Sequence, residues 1–157
     1  DAWRVADQLA AANIPVIVNP EYNLPGAFDT LGATLANAGR LDKAGVKVAI
    51  GIETHNIRLA TQHAGNAVAN GMSYDAALAS LTKNVAEIFG IDQQVGSLAP
   101  GMRADVVVWS GDPLEVTEAA EHVFIAGEPI KMQSRQTLLR DRYLNLKQDK
   151  PMVYTRP

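Results

Sequence analysis

Residues 46–56 read Val46-Lys47-Val48-Ala49-Ile50-Gly51-Ile52-Glu53-Thr54-His55-Asn56. The first five form a short apolar run rich in β-branched residues, the composition of a buried strand in a parallel sheet. The next six turn polar and leave the strand at its C-terminal end, where α/β folds gather ligands and chemistry. Upstream, Ile14-Pro15-Val16-Ile17-Val18 has the same character and suits a strand covered on both faces. Asn19-Pro20 stops it, and a loop rich in Asn, Pro and Gly follows to Gly26. Between the two runs, residues 28–44 carry Leu31, Leu35, Ala38 and Leu41 at helical spacing, with Gly45 as a stop. Ahead of them, Asp1 can cap a helix whose apolar side is Trp3, Val5, Ala6, Leu9 and Ala10, closed by Asn13. Helix, strand, helix, strand is the grammar of an α/β fold with parallel strands.

Two more helices are expected after Asn56. One covers residues 57–70 and stops at Gly71. The other is capped by Ser73, has Asp75 in its first turn and runs to Gly90. Beyond Gly90 the grammar changes. Short strands are expected at 95–98, 104–109, 121–125 and 129–133, with hairpin chemistry at Ala126-Gly127-Glu128. This reads as a small antiparallel β unit. The tail holds Arg135, Arg140, Arg142, Lys147 and Lys150 among few apolar residues, which suggests a helix over the sheet and then a loose end.

The 157 residues are 47% apolar, enough for one compact domain and a small annex. With 14 Lys+Arg against 17 Asp+Glu, no basic surplus favours nucleic acid. No run of apolar residues is long enough for a membrane span. Cys is absent, which excludes disulfides, zinc–thiolate sites and Cys nucleophiles. No signal-peptide pattern is visible, so a cytoplasmic location is expected. The chain begins at Asp1, inside a helical pattern already under way, and is expected to be part of something longer.

Three runs in order carry a resemblance. Ala77-Leu78-Ala79-Ser80-Leu81-Thr82-Lys83-Asn84-Val85-Ala86 is similar to the A-L-x-x-x-T-x-N-x-A run of the amidohydrolase superfamily. Gly96-Ser97-Leu98-Ala99-Pro100-Gly101-Met102-Arg103-Ala104-Asp105-Val106-Val107-Val108-Trp109 resembles the G-S-L-x-P-G run that follows it there. Asp112-Pro113-Leu114 and Val123-Phe124-Ile125-Ala126-Gly127 resemble its closing turns and hairpin. Residues 51–58 resemble the end of the eighth barrel strand in the imidazolonepropionase-like branch, with Glu53 where that branch has Asp. The resemblance implies an α/β chain: the last two βα units of a TIM-like (β/α)₈ barrel plus the C-terminal part of a small β-sandwich (composite) domain. Residues 1–90 would be partial barrel with strands seven and eight, 91–134 the sandwich portion, and 135–157 a helix and tail.

The resemblance also implies metal-assisted hydrolysis of carbon–nitrogen bonds other than peptide bonds. A divalent, zinc-type metal polarises a carbonyl, and a carboxylate at the eighth strand moves the proton of the attacking water. Glu53 is then the catalytic carboxylate, and a metal ligand only if another chain completes the set. His55, Asn56 and Arg58 would contact substrate, as would Asn19 and Tyr22 from the loop after the first strand. The substrate would be a small-molecule amide or cyclic amide. His63 and His122, with His55 the only histidines, are expected to be structural, so three-His ligation cannot come from this chain. It is therefore expected to bind no metal alone, and to form a homo-oligomer or pair with an N-terminal part. The alternative is a non-catalytic, oligomerising fragment. Asn56 can equally cap the next helix, and Trp3 and Trp109 are expected in the core.

Overall fold

A computed structural model describes residues 1–53 and 55–144. Two parallel strands, β1 (Val16–Val18) and β2 (Val48–Ile50), pair as Val16 with Val48, Ile17 with Ala49 and Val18 with Ile50. Val18, Val48 and Ala49 are buried, whereas Ile14 and Ile17 stand exposed, Ile17 by 54%. The expectation of a strand covered on both faces therefore fails for β1. These strands pair only with each other among the described residues, so helices cover Val16 and Val18 while the alternate position between them stays open.

The chain enters through a 3₁₀ turn (Ala2–Val5) and helix α1 (Ala6–Ala11). Asp1 precedes the turn, but its carboxylate meets Arg4 at 3.5 Å instead of capping. Asn13, at φ 53°, ends α1 as expected. The helix expected over 28–44 is mostly absent: a 3₁₀ turn (Phe28–Thr30) precedes a short α2 (Asn37–Lys43). Gly32 explains the break. Its carbonyl accepts the Trp3 indole N–H at 2.8 Å, and an added Cβ there would lie 2.5 Å from the Arg4 guanidinium. Leu31 and Leu35 consequently point to solvent, and only Ala38 and Leu41 of the predicted stripe are buried.

After β2 come a 3₁₀ turn (Ile57–Leu59), α3 (Ala60–Ala69), α4 (Tyr74–Leu81) and α5 (Lys83–Ile88). Ser73 caps α4, its hydroxyl oxygen accepting from the Ala76 N–H at 3.3 Å. The single helix expected from Ser73 to Gly90 is broken at Thr82, at φ −132° and ψ −94°. The break turns Asn84 inward, where its side-chain amide donates to the Val48 carbonyl at 2.8 Å. The core joins Leu41, Val46, Val48, Met72 and Leu114 to the small residues Ala38, Ala64, Ala67 and Ala77. Small side chains let the backbones approach closely, which is how short helices bury so much here.

Residues 106–129 form a three-stranded antiparallel sheet of β3 (Val106–Trp109), β4 (Ala120–Ile125) and β5 (Glu128–Pro129). The hairpin at Ala126-Gly127 has both residues at positive φ, as its sequence predicts. The strand expected at 95–98 is a turn instead, drawn in because Gly96, at φ 96°, sits against Thr82 and Ala86. The last strand is shorter than expected, although the Ile130 N–H still donates to the Val123 carbonyl. Trp3 and Trp109 are only half-buried, so neither is a core aromatic; Trp3 instead carries the Arg40 guanidinium 4.1 Å from its ring. Helix α6 (Arg135–Leu144) has no buried residue, so it does not cover the sheet. The loose end expected after it lies outside the described residues. No helix among the described residues is long and apolar enough to cross a membrane.

Candidate functional site

Parallel pairing brings the C-terminal ends of β1 and β2 side by side, and the Gly51 N–H donates to the Val18 carbonyl at 2.8 Å. Asn19 and Ile52 therefore leave the sheet next to each other. The β2 exit carries Glu53 and His55, both exposed, then half-buried Asn56 and exposed Arg58. Asn56 stands at the N-cap position of the 3₁₀ turn, where its backbone carbonyl accepts from Leu59 at 3.0 Å. None of the ion pairs among the described residues takes in Glu53 or Arg58. Glu53 thus presents at the strand end a carboxylate with no ion-pair partner among the described residues.

The β1 exit is held by side chains. Asn19 Oδ1 accepts from the Glu21 N–H at 3.1 Å, and Asn23 Nδ2 donates to the Asn19 carbonyl at 3.0 Å. Asn37 of α2 donates to Asn23 Oδ1 at 3.3 Å, while its own Oδ1 accepts from the Trp3 N–H at 3.2 Å. Asn19 is half-buried, and Tyr22 projects with 68% of its surface exposed. Sequence reasoning named His63 only as structural and singled out neither Glu21 nor Asn37. Asn37 is buried, and His63, 3% exposed on α3, places Nε2 3.1 Å from Glu21 Oε2. A signal for His63 existed: it shares the inward stripe of Ala60, Ala64 and Ala67, and a buried imidazole needs a partner.

No hydrogen bond or ion pair among the described residues joins Glu53 or His55 to Asn19 or Tyr22; the strand pairing places the two groups on one rim. His122 lies on β4, within the antiparallel sheet. Among the described residues no group of three or more His, Asp or Glu side chains could hold a metal ion. Glu53 and His55 therefore do not fit a metal by themselves.

The comparisons agree with this architecture. The sequence profile of the Amidohydrolase family matches residues 3–134. Imidazolonepropionase from Chromobacterium violaceum is 32% identical over 118 residues, which cover 70% of this chain and 27% of that protein. Among solved structures, an amidohydrolase from Thermotoga maritima MSB8 aligns with a TM-score of 0.76 and 31% identity, over 84% of this chain and 35% of that one. An adenosine deaminase from Xanthomonas campestris, solved with bound zinc, shares the fold at a TM-score of 0.58 and 21% identity, over 90% of this chain and 39% of its own. The chain thus spans about a quarter to two-fifths of the length of these proteins. With the family profile matching most of its residues and helices packed on parallel strands, the chain belongs to the amidohydrolase family, whose fold is of the TIM-barrel type.

Proposed function

We propose that this chain is a portion of a metal-dependent hydrolase acting on carbon–nitrogen bonds other than peptide bonds. In this reading β1 and β2 are the last two strands of the barrel, within residues 1–90. Residues 91–134 are the C-terminal portion of its small β-sandwich domain, and 135–157 a helix and tail. The observation that carries the reading is the exposed Glu53 carboxylate at the C-terminal end of β2, on one rim with the β1 exit.

Glu53 takes a proton from the attacking water as the oxygen bonds to the substrate carbonyl carbon. It returns that proton to the departing nitrogen as the C–N bond breaks, leaving a carboxylic acid and an amine. His55, Asn56 and Arg58 on one side, and Asn19 and Tyr22 on the other, hold a small amide or cyclic amide. Arg58 suits an anionic group on that substrate. The metal ligands lie mostly outside this chain, so it binds no metal and turns over nothing alone; Glu53 serves as a ligand only when other strands supply the rest.

A second reading, a non-catalytic fragment that pairs with copies of itself, is favoured by exposed Ile17 on β1 and exposed Ile14 just before it. Elemental analysis and solution mass decide between them. The proposed hydrolase holds metal and cleaves amides as a full-length protein, and Glu53→Gln lowers its kcat by about 100-fold or more. Undiminished kcat in that variant removes Glu53 from the reaction. A metal-free dimer of the 157-residue chain, with no turnover by the full-length protein, supports the second reading.

A further inference from the structure

The loop after β1 has little backbone support. No backbone–backbone hydrogen bond among the described residues ties residues 20–26 to another element; the turn at Glu21–Tyr22 is local, and Pro20 and Pro25 lack the N–H that could make one. Two side-chain bonds tie this loop to neighbouring helices: Asn23 to Asn37 of α2, and Glu21 to His63 of α3. The second joins unlike environments. His63 is buried on a stripe of alanines, whereas the Glu21 side chain is 59% exposed. An imidazole in that position costs desolvation that an apolar residue would avoid, so packing alone does not account for it. Nε2 faces the Glu21 carboxylate at 3.1 Å, whereas Nδ1 is buried and meets no hydrogen-bond partner. The one polar contact of the imidazole is with the loop.

We propose that His63 and Glu21 are positioning residues, a clamp that holds the Asn19–Asn23 loop at the strand ends and thereby sets the affinity for substrate. Glu21 passes the constraint on through its backbone N–H, which donates to Asn19 Oδ1 and fixes the orientation of that side-chain amide. The substrate role of the loop rests on the function proposed above; the clamp itself does not.

Glu21 is the safer residue to change, because His63 is buried and its loss would disturb α3. In the full-length protein, Glu21→Ala is expected to speed exchange of the residue-21 N–H, the loop amide held by Asn19 Oδ1, by about ten-fold, with β1 and α3 unchanged. Glu21→Gln keeps an oxygen that faces Nε2 and is expected to restore most of the protection. With an amide substrate, Glu21→Ala is expected to raise KM about ten-fold while kcat stays within about two-fold. Unchanged exchange in Glu21→Ala overturns the clamp. Faster exchange with unchanged KM overturns its role in substrate affinity. If the full-length protein cleaves no amide, the function proposed above falls, and the exchange rates still decide on the clamp.

Discussion

The Tyr74 hydroxyl donates to Asp112 Oδ1 at 2.8 Å, joining the first turn of α4 to the turn that follows β3. The same carboxylate oxygen accepts from the Leu114 N–H at 2.9 Å. Leu114 is the one residue from the 106–129 segment in the buried apolar cluster, so Asp112 both shapes the turn that inserts it and fastens that turn to α4. Tyr74→Phe is expected to lower the melting temperature, and Asp112→Ala to lower it further, since two donors lose their acceptor. The hydrogen bond to Asp112 raises the Tyr74 pKa above its usual 10.0, and burial and the nearby Asp112 and Asp75 charges add to the rise. A raised folded-state pKa means the bond contributes fully below pH 10 and is lost as pH climbs through the raised value. Thermal unfolding of wild type and Tyr74→Phe should differ up to pH 10 and converge above it.

Gly39 and Gly65 are expected to tolerate no side chain. A Cβ on Gly39 would lie 2.5 Å from the Gly71 carbonyl carbon, and one on Gly65 would lie 2.6 Å from the Leu114 oxygen. Both obstacles are backbone, which cannot rotate away. Gly39→Ala and Gly65→Ala should each destabilise by about 1–3 kcal/mol in denaturant titrations. Gly26→Ala serves as the control, because its Cβ would meet only the Leu24 oxygen at 3.9 Å. A neutral Gly39→Ala would show that α2 and the Gly71 turn are less closely apposed than described.

Local chemistry made several of these features readable in advance. Gly45, Gly71 and Gly90 all adopt the positive φ that a helix stop demands, and Ser73 caps the helix it precedes. What escaped was set by partners distant in sequence. Leu31 and Leu35 keep helical spacing, yet the Gly32 carbonyl is taken by an indole 29 residues earlier, so no helix forms there. Thr82 breaks a predicted helix so that Asn84 can reach a strand 36 residues back. The identity of Glu53, His55 and Asn56 was legible as a strand exit. The Glu21–His63 pair was not, because a loop carboxylate and a helix imidazole 42 positions apart share no periodic pattern.

Asn84 is expected to be a stability residue. The Lys47 carbonyl accepts from the Val16 N–H, so the next carbonyl, that of Val48, points to the edge of β2 that β1 leaves uncovered. The Asn84 side-chain amide takes that acceptor at 2.8 Å in a half-buried setting. Asn84→Ala leaves the carbonyl unpaired and should cost about 1–3 kcal/mol, read as a lower denaturation midpoint. Asn84→Asp should be no better, since a carboxylate has no N–H to offer. An undiminished midpoint in both variants would mean that water replaces the amide freely.

Lys47 is joined to α5 through Glu87, a carboxylate that acid can neutralise. Its ammonium lies 2.6 Å from Glu87 Oε2, and Lys83 approaches the other oxygen at 3.7 Å. The hydrogen bond from Lys47 holds the Glu87 pKa below its usual 4.5, against a smaller opposing effect of burial. A lowered folded-state pKa contributes stability above pH 4.5 that is lost as pH falls through the lowered value. Wild type should therefore melt above Lys47→Met at pH 7, and the gap should shrink steadily below pH 4.5. Salt should narrow the same gap at pH 7, because the pair is partly open to solvent. A gap that stays constant down to pH 3 would assign the effect to packing of the lysine stem against α5 and not to its charge.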